Sequence, residues 1–180
     1  MKRIPSRAPP APPRRTRKRT NPCDVRLLVL DVDGVLTDGR LWLGPRGEVL
    51  KAFHVRDGHG IRAVLSAGIE IAVISGRRSA AVKRRCRELG IRRVFQGIED
   101  KHALFEHVRR KLGVSAAQCA CVGDDAPDVR LMRAAGLAFA VADAHASARA
   151  AAHYVTRHAG GAGAVREVCD RLLAARGLHA

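Results

Sequence analysis

Apolar residues fall along the chain in short unbroken runs, separated by longer stretches with helical spacing. The run Leu27-Leu28-Val29-Leu30 is apolar on both faces and stops at Asp31, as a strand buried between two layers should. Ile69–Ile74, Arg93–Gln96, Cys119–Val122 and Leu137–Val141 continue the series, and Tyr154–Thr156 adds a short run. Helices are predicted over Ile61–Ala67, Ser79–Leu89, Lys101–Leu112, Pro127–Ala135 and Ala164–Ala175. Gly68, Gly90, Gly113 and Gly136 each fall where a helix should end, the place glycine fills just past the last turn. Strands alternating with helices predict an α/β domain, a Rossmann-like doubly wound parallel sheet, with no internal repeat.

Residues 38–55 break the alternation. Gly39-Arg40-Leu41-Trp42-Leu43-Gly44-Pro45-Arg46-Gly47-Glu48-Val49-Leu50-Lys51 reads as two strands around a Gly/Pro turn, a small β-hairpin flap. An isolated hairpin is marginally stable, and this one holds the chain's only tryptophan between two leucines. Burial of Trp42 against a partner is therefore predicted in preference to packing on its own domain.

Length and charge divide the chain in two. One domain from residue 23 to 180 can bury a sizeable core. Residues 1–20 hold eight Lys or Arg and no acid, half of the net +16, and six of the eight prolines precede Cys23. A tail of that composition over 1–22 is predicted to be disordered. It reads first as a solvated extension, then as an anion-binding arm or the product of a start codon placed too early. Its prolines count against the amphipathic helix of a transit peptide. Since the excess charge is not spread over the domain, it does not argue for nucleic acid as a partner. No run approaches the length of a membrane span and no apolar stretch follows the basic start, so a soluble cytoplasmic protein is expected. The five cysteines are odd in number and scattered, which indicates neither a disulfide framework nor a zinc set; Cys119 and Cys121 suit a buried strand.

The candidate chemistry begins where the first strand stops. Asp31 is placed to attack phosphorus as a nucleophile, and Asp33 to give a proton to the leaving alcohol and then activate water. Carboxylates so crowded call for a divalent cation, and oxygen-only ligands favour Mg²⁺. For an isolated Asp-x-Asp a polar strand end capping the next turn would be preferred, but other strand ends carry similar groups. Ile71-Ala72-Val73-Ile74-Ser75-Gly76-Arg77 ends in a hydroxyl, and Cys121-Val122-Gly123-Asp124-Asp125-Ala126-Pro127-Asp128 ends in carboxylates. Lys101 opens a predicted helix, where the dipole disfavours a cation, so it points to a task other than helix stability.

Asp31-Val32-Asp33-Gly34-Val35-Leu36-Thr37-Asp38 resembles the first motif of the haloacid dehalogenase-like phosphatases. Phe53-His54-Val55-Arg56-Asp57-Gly58, Gly123-Asp124-Asp125 and the stretch Ala159-Gly160-Gly161-Ala162-Gly163-Ala164-Val165-Arg166-Glu167-Val168 narrow the resemblance to the capless branch of 3-deoxy-D-manno-octulosonate (KDO) 8-phosphate phosphatases. The similarity runs from about residue 25 to about residue 177. It implies Mg²⁺ held by Asp31, Asp124 and the backbone carbonyl of Asp33. It implies Ser75 on the phosphoryl oxygens, Lys101 neutralising that group and holding Asp31, and Asp125 and Asp128 behind the metal ligands. Substrate contacts are implied for His54, Val55, Arg56, Asp57, Gly58, Arg62, Arg77, Arg85 and Lys101. Asp128 could equally be an N-terminal helix charge. Ala126 is smaller than the apolar residue usual at its place in the branch.

A chain with no cap domain must either take macromolecular substrates or borrow a lid from a neighbour, and the resemblance implies the second, a homotetramer with active sites at subunit interfaces. Three rival readings stand beside it: a phosphatase of a related sugar acid phosphate such as KDN 9-phosphate, a non-catalytic oligomerisation module, and a nucleic-acid end phosphatase. Retention of Asp31, Asp33, Ser75, Lys101 and Asp124 together counts against the second. The hairpin and the Ala159–Gly163 stretch count against the third.

Overall fold

The computed structural model describes residues 20–45 and 47–179. Most of the predicted tail, residues 1–19, lies outside them; Thr20–Pro22 belong to the fold, where the Asn21 side chain caps a short 3₁₀ turn over Pro22–Asp24.

Six strands form one parallel sheet: β1 (Leu27–Leu30), β4 (Glu70–Ser75), β5 (Arg93–Gln96), β6 (Cys119–Gly123), β7 (Leu137–Ala140) and β8 (Tyr154–Val155), in the order β5-β4-β1-β6-β7-β8. Every residue of β1, β6 and β7 is buried, as the unbroken apolar runs required. The chain winds outward from β1 through β4 to β5, then crosses back to β6 and winds outward the other way. The strand order thus reverses beside β1, and open α/β sheets bind their ligands in the crevice at the carboxyl ends of such a pair.

Helices α1 (Val55–Ser66), α2 (Ala80–Leu89), α3 (Lys101–Lys111), α4 (Val129–Ala134), α5 (Ala146–Ala151) and α6 (Ala164–Ala174) make the outer layers. α1 packs against α6 and α2, whereas α3, α4 and α5 pack in succession, as right-handed crossovers in opposite directions demand. A separate antiparallel pair, β2 (Trp42–Gly44) and β3 (Gly47–Leu50), is the predicted hairpin. Leu41, Trp42, Leu43, Val49 and Leu50 are all exposed on it.

Several boundaries differ from the sequence reading. α1 begins six residues before the predicted Ile61, because its first turn, Val55-Arg56-Asp57-Gly58, lacks the apolar spacing that marks a helix. The predicted helix Pro127–Ala135 divides into a 3₁₀ turn, Ala126–Asp128, and the short α4. α5 was not anticipated, since Ala146-Ser147-Ala148-Arg149-Ala150-Ala151 carries almost no large apolar residue. Gly90 caps α2 in the left-handed region, and Gly68 and Gly113 also take positive φ. Gly136 does not. It serves close packing instead, because a Cβ there would meet the Ala117 carbonyl oxygen at 2.4 Å. All five cysteines are free, and Cys119 and Cys121 are buried on β6.

Candidate active site

The carboxyl ends of β1 and β6 set the site. Asp31 follows β1 directly, with its backbone N–H bonded to the Val122 carbonyl at 3.3 Å, and Asp124 follows β6. Behind Asp31 the chain turns sharply through Gly34, whose φ of +87° suits a residue without a side chain. The turn also needs the space, because a Cβ at residue 34 would fall 2.1 Å from Asp124 Oδ2.

Lys101 is the first residue of α3, yet its side chain turns inward and is only 7% exposed. The neighbouring Asp100 supplies the anion the helix start favours, accepting from the Ala103 N–H at 3.0 Å. The Lys101 ammonium stands 2.8 Å from Asp31 Oδ1 and 2.8 Å from Asp128 Oδ1. Burial opposes its charge, but the two carboxylates outweigh that and hold its pKa above the usual lysine value. Asp128 is buried, and its second oxygen accepts from the Asp124 N–H at 3.1 Å. It therefore ties Lys101 to the strand end that carries Asp124, which a solvated helix charge could not do.

Asp31, Asp124 and Asp128 each offer an oxygen within 4.8 Å of the others. Burial, then the negative charge of Asp128, pushes the Asp31 carboxyl up to about 6 despite Lys101. Burial, then Asp31 and Asp128, pushes Asp124 up to about 8. Three carboxylates facing one lysine leave an excess of negative charge that a divalent cation would relieve, and an all-oxygen donor set suits Mg²⁺. Because both Asp128 oxygens are engaged by Lys101 and the Asp124 N–H, Asp31 and Asp124 are the carboxylates left to face the ion.

Asp33 lies beside this cluster with its side chain 19% exposed. Its Oδ1 pairs with the Lys51 ammonium, and Arg77 Nε stands 4.0 Å from its Oδ2. Ser75, the last residue of β4, is buried, and its Oγ accepts from the Arg77 N–H at 3.2 Å. Asp31, Asp33, Ser75, Arg77, Lys101, Asp124 and Asp128 are thus brought to one edge of the sheet.

Other predicted residues stand elsewhere. Arg62 donates to the Glu88 carbonyl at 2.7 Å and borders a cavity with Gly68 and Glu70, at the amino edge of the sheet, so it does not reach the carboxylates. Asp57 faces inward from the first turn of α1, and its Oδ1 accepts from the Arg166 N–H at 2.7 Å, fastening α6. Burial raises its pKa, against the lowering effect of that bond. Val55 and Arg56 face solvent. His54 precedes α1 with its Nδ1 buried, and Arg85 lies over Gly58, where a Cβ would meet its Nη2 at 2.3 Å. Asp125 is exposed and caps the 3₁₀ turn through the Ala126 N–H, and it is not one of the three carboxylates that converge as candidate ion ligands.

Lys51 and Glu48 escaped the sequence reading. In an unbroken strand, residues three apart face opposite ways. Here the register shifts, with Trp42 opposite Leu50 but Leu43 opposite Glu48, so Val49 is an extra residue on the β3 side. Such a bulge re-aims side chains, and Lys51 and Glu48 meet at 3.2 Å. Nothing in the local pattern announces it.

The profile of the haloacid dehalogenase-like hydrolases matches residues 58–136. The chain is 52% identical over 154 residues, 86% of its length and 82% of the relative's, to the 3-deoxy-D-manno-octulosonate 8-phosphate phosphatase of Escherichia coli K12. The chain belongs to that family of haloacid dehalogenase-like hydrolases. The fold agrees throughout: the crystal structure of the Yersinia pestis phosphatase superposes with a TM-score of 0.85 at 46% identity, covering 87% of this chain and 85% of that one. The Moraxella catarrhalis phosphatase, solved in complex with magnesium, phosphate and KDO, gives 0.84 at 42% identity, covering 86% and 89%. Among the described residues, no helix is long and apolar enough to cross a membrane.

Proposed function

We propose that this protein is a Mg²⁺-dependent phosphatase that hydrolyses 3-deoxy-D-manno-octulosonate 8-phosphate to the free sugar acid and inorganic phosphate, in lipopolysaccharide biosynthesis in the cytoplasm. The observation that carries the reading is the Lys101 ammonium, 2.8 Å from both Asp31 and Asp128 and beside Asp124, at the strand-order reversal of the sheet.

Asp31 supplies the attacking oxygen. It forms a bond to phosphorus as the bond from phosphorus to the sugar oxygen breaks, and water then cleaves the aspartyl phosphate. Asp33 delivers a proton to the departing sugar oxygen and afterwards takes one from that water. Ser75 and the backbone N–H groups at the end of β4 face the transferring oxygens, while Lys101 balances their charge and fixes Asp31. Asp31, Asp124 and the Asp33 carbonyl would hold Mg²⁺, whose charge when bound offsets the crowded carboxylates and the phosphate. Arg77, at the open side of the site, suits the substrate's carboxylate through paired hydrogen bonds.

The hairpin meets the site through the Lys51–Asp33 pair, and its Leu41, Trp42, Leu43, Val49 and Leu50 present an exposed apolar surface. That surface supports assembly into a homotetramer in which a neighbouring subunit walls off the sugar end of each site. Catalysis is assigned to the domain that begins at residue 23, and none of it to residues 1–19.

Steady-state kinetics on KDO 8-phosphate, KDN 9-phosphate and an oligonucleotide 3′-phosphate test the reading. The highest kcat/KM is expected on KDO 8-phosphate; a preference for the nine-carbon substrate or the oligonucleotide would replace the substrate, and no turnover of any would remove the enzyme reading.

A further inference from the structure

Lys51 stands one residue past β3, at the foot of a hairpin whose neighbouring Val49 and Leu50 are exposed, yet its side chain is only 1% exposed. A buried ammonium is costly unless it is paired, and this one is paired twice. It meets Asp33 Oδ1 on one side and, at 3.2 Å, Glu48 Oε2 on the other. The other Glu48 oxygen accepts from the hydroxyl of Ser79, which caps α2 by accepting from the Val82 N–H at 3.3 Å. A continuous polar chain therefore runs from the start of α2 through Ser79, Glu48 and Lys51 to Asp33, and its middle members belong to the hairpin.

We propose that Lys51 is a positioning residue for proton transfer, holding the Asp33 carboxyl group in place and coupling it to the placement of the hairpin. The inference rests on the reading of Asp33 given above. With Oδ1 engaged by Lys51, and Arg77 Nε 4.0 Å from Oδ2 and outside hydrogen-bond reach, Oδ2 is the oxygen left to face the substrate. The proton passes from that oxygen to the sugar oxygen as its bond to phosphorus breaks. The hairpin thereby acquires a second task besides offering an apolar surface, since displacing it would move the acid.

The test uses two phosphate esters. A sugar alkoxide is a poor leaving group that needs a proton, whereas p-nitrophenolate leaves without one. Lys51→Met is expected to lose about 10²-fold in kcat/KM on KDO 8-phosphate, and only a few-fold on p-nitrophenyl phosphate. In an Asp33→Asn background the same substitution should add little, because two residues acting through one step are not additive. Lys51→Arg, which keeps the charge, should recover part of the loss. Melting and light scattering on each variant verify fold and assembly, and Lys51→Gln, with a neutral donor in place of the ammonium, carries the same expectation if the methionine variant does not fold. Equal losses on both esters, or full additivity with Asp33→Asn, would reduce Lys51 to a structural ion pair and overturn the proposal. Leaving-group dependence in Asp33→Asn but in neither Lys51 variant overturns the role of Lys51 alone; its absence in Asp33→Asn overturns the Asp33 reading and this one with it.

Discussion

The backbone of Gly160 lies against the backbone of Gly34, so close that a Cβ on Gly160 would stand 1.7 Å from the Gly34 carbonyl oxygen. The next residue, Gly161, donates its N–H to the Val35 carbonyl at 3.0 Å. The glycine-rich stretch before α6 is thus the backing of the loop that carries Asp31 and Asp33, more than a hundred residues away in the chain. Gly160→Ala should push that loop out of place. A loss of about 1–3 kcal/mol of stability, typical of overpacking, is expected, together with a fall in kcat. Normal melting and normal kinetics in the variant would show that the two backbones can separate at no cost.

Asp31→Asn should fold normally and release no measurable phosphate, because an amide cannot serve as the attacking carboxylate. Asp33→Asn should lose about 10²- to 10⁴-fold in kcat/KM on the sugar phosphate. Phosphate release by a well-folded Asp31→Asn protein at the rate of the unaltered enzyme would sink the covalent mechanism.

Metal removal should reverse the usual effect of pH on stability. Without a cation the folded protein holds protons on Asp31 up to about pH 6 and on Asp124 up to about pH 8, while the unfolded chain releases them near 3.8. The folded state then binds more protons across that window, so this contribution is complete below the unfolded value and lost as pH rises through the folded values. The lowered carboxylates Asp100, Glu106 and Glu167 exert their opposite effect at and below their ordinary values of 3.8 and 4.5, so they do not offset the loss at higher pH. In chelator, the melting temperature should fall between pH 5.5 and 8.5, and added Mg²⁺ should raise it more at the higher pH. An equal Mg²⁺ increment at both values would mean that the carboxylates are not where the ion binds. Exhaustive chelation should also abolish turnover.

Trp42→Glu tests the hairpin as an interface. A charge placed in an apolar contact without a partner is costly, so the assembly should dissociate. Activity should fall with it, although no residue of the Asp31 cluster has changed. Light scattering and kinetics on one sample separate the halves: a fully active monomer refutes the shared site, and an unchanged oligomer removes Trp42 from the interface.

Much of this protein was written in its local pattern. Residues buried on both faces must be apolar whatever surrounds them, so β1, β6 and β7 stand out as continuous runs, and β5 falls on the predicted residues. Because strand ends in such a sheet share one edge, Asp31, Ser75 and Asp124 could be placed together from their positions, whereas the conflict with the helix dipole marked Lys101 only for a task other than helix stability and the family resemblance put it beside Asp31. The arginines were harder. Arg62 and Arg77 both adjoin motifs, but one side chain runs toward the amino edge and the other toward Asp33, a choice made by packing rather than by spacing. The buried state of Asp128, the fastening of α6 by Asp57 and the two roles of Gly160 and Gly161 are contacts between distant segments. Lys51 is the clearest case: a one-residue bulge at Val49 decides whether its ammonium meets Asp33 or water. A bulge leaves every residue type unchanged and alters only which of them face each other, so it is decided by the tertiary structure and not by the sequence pattern.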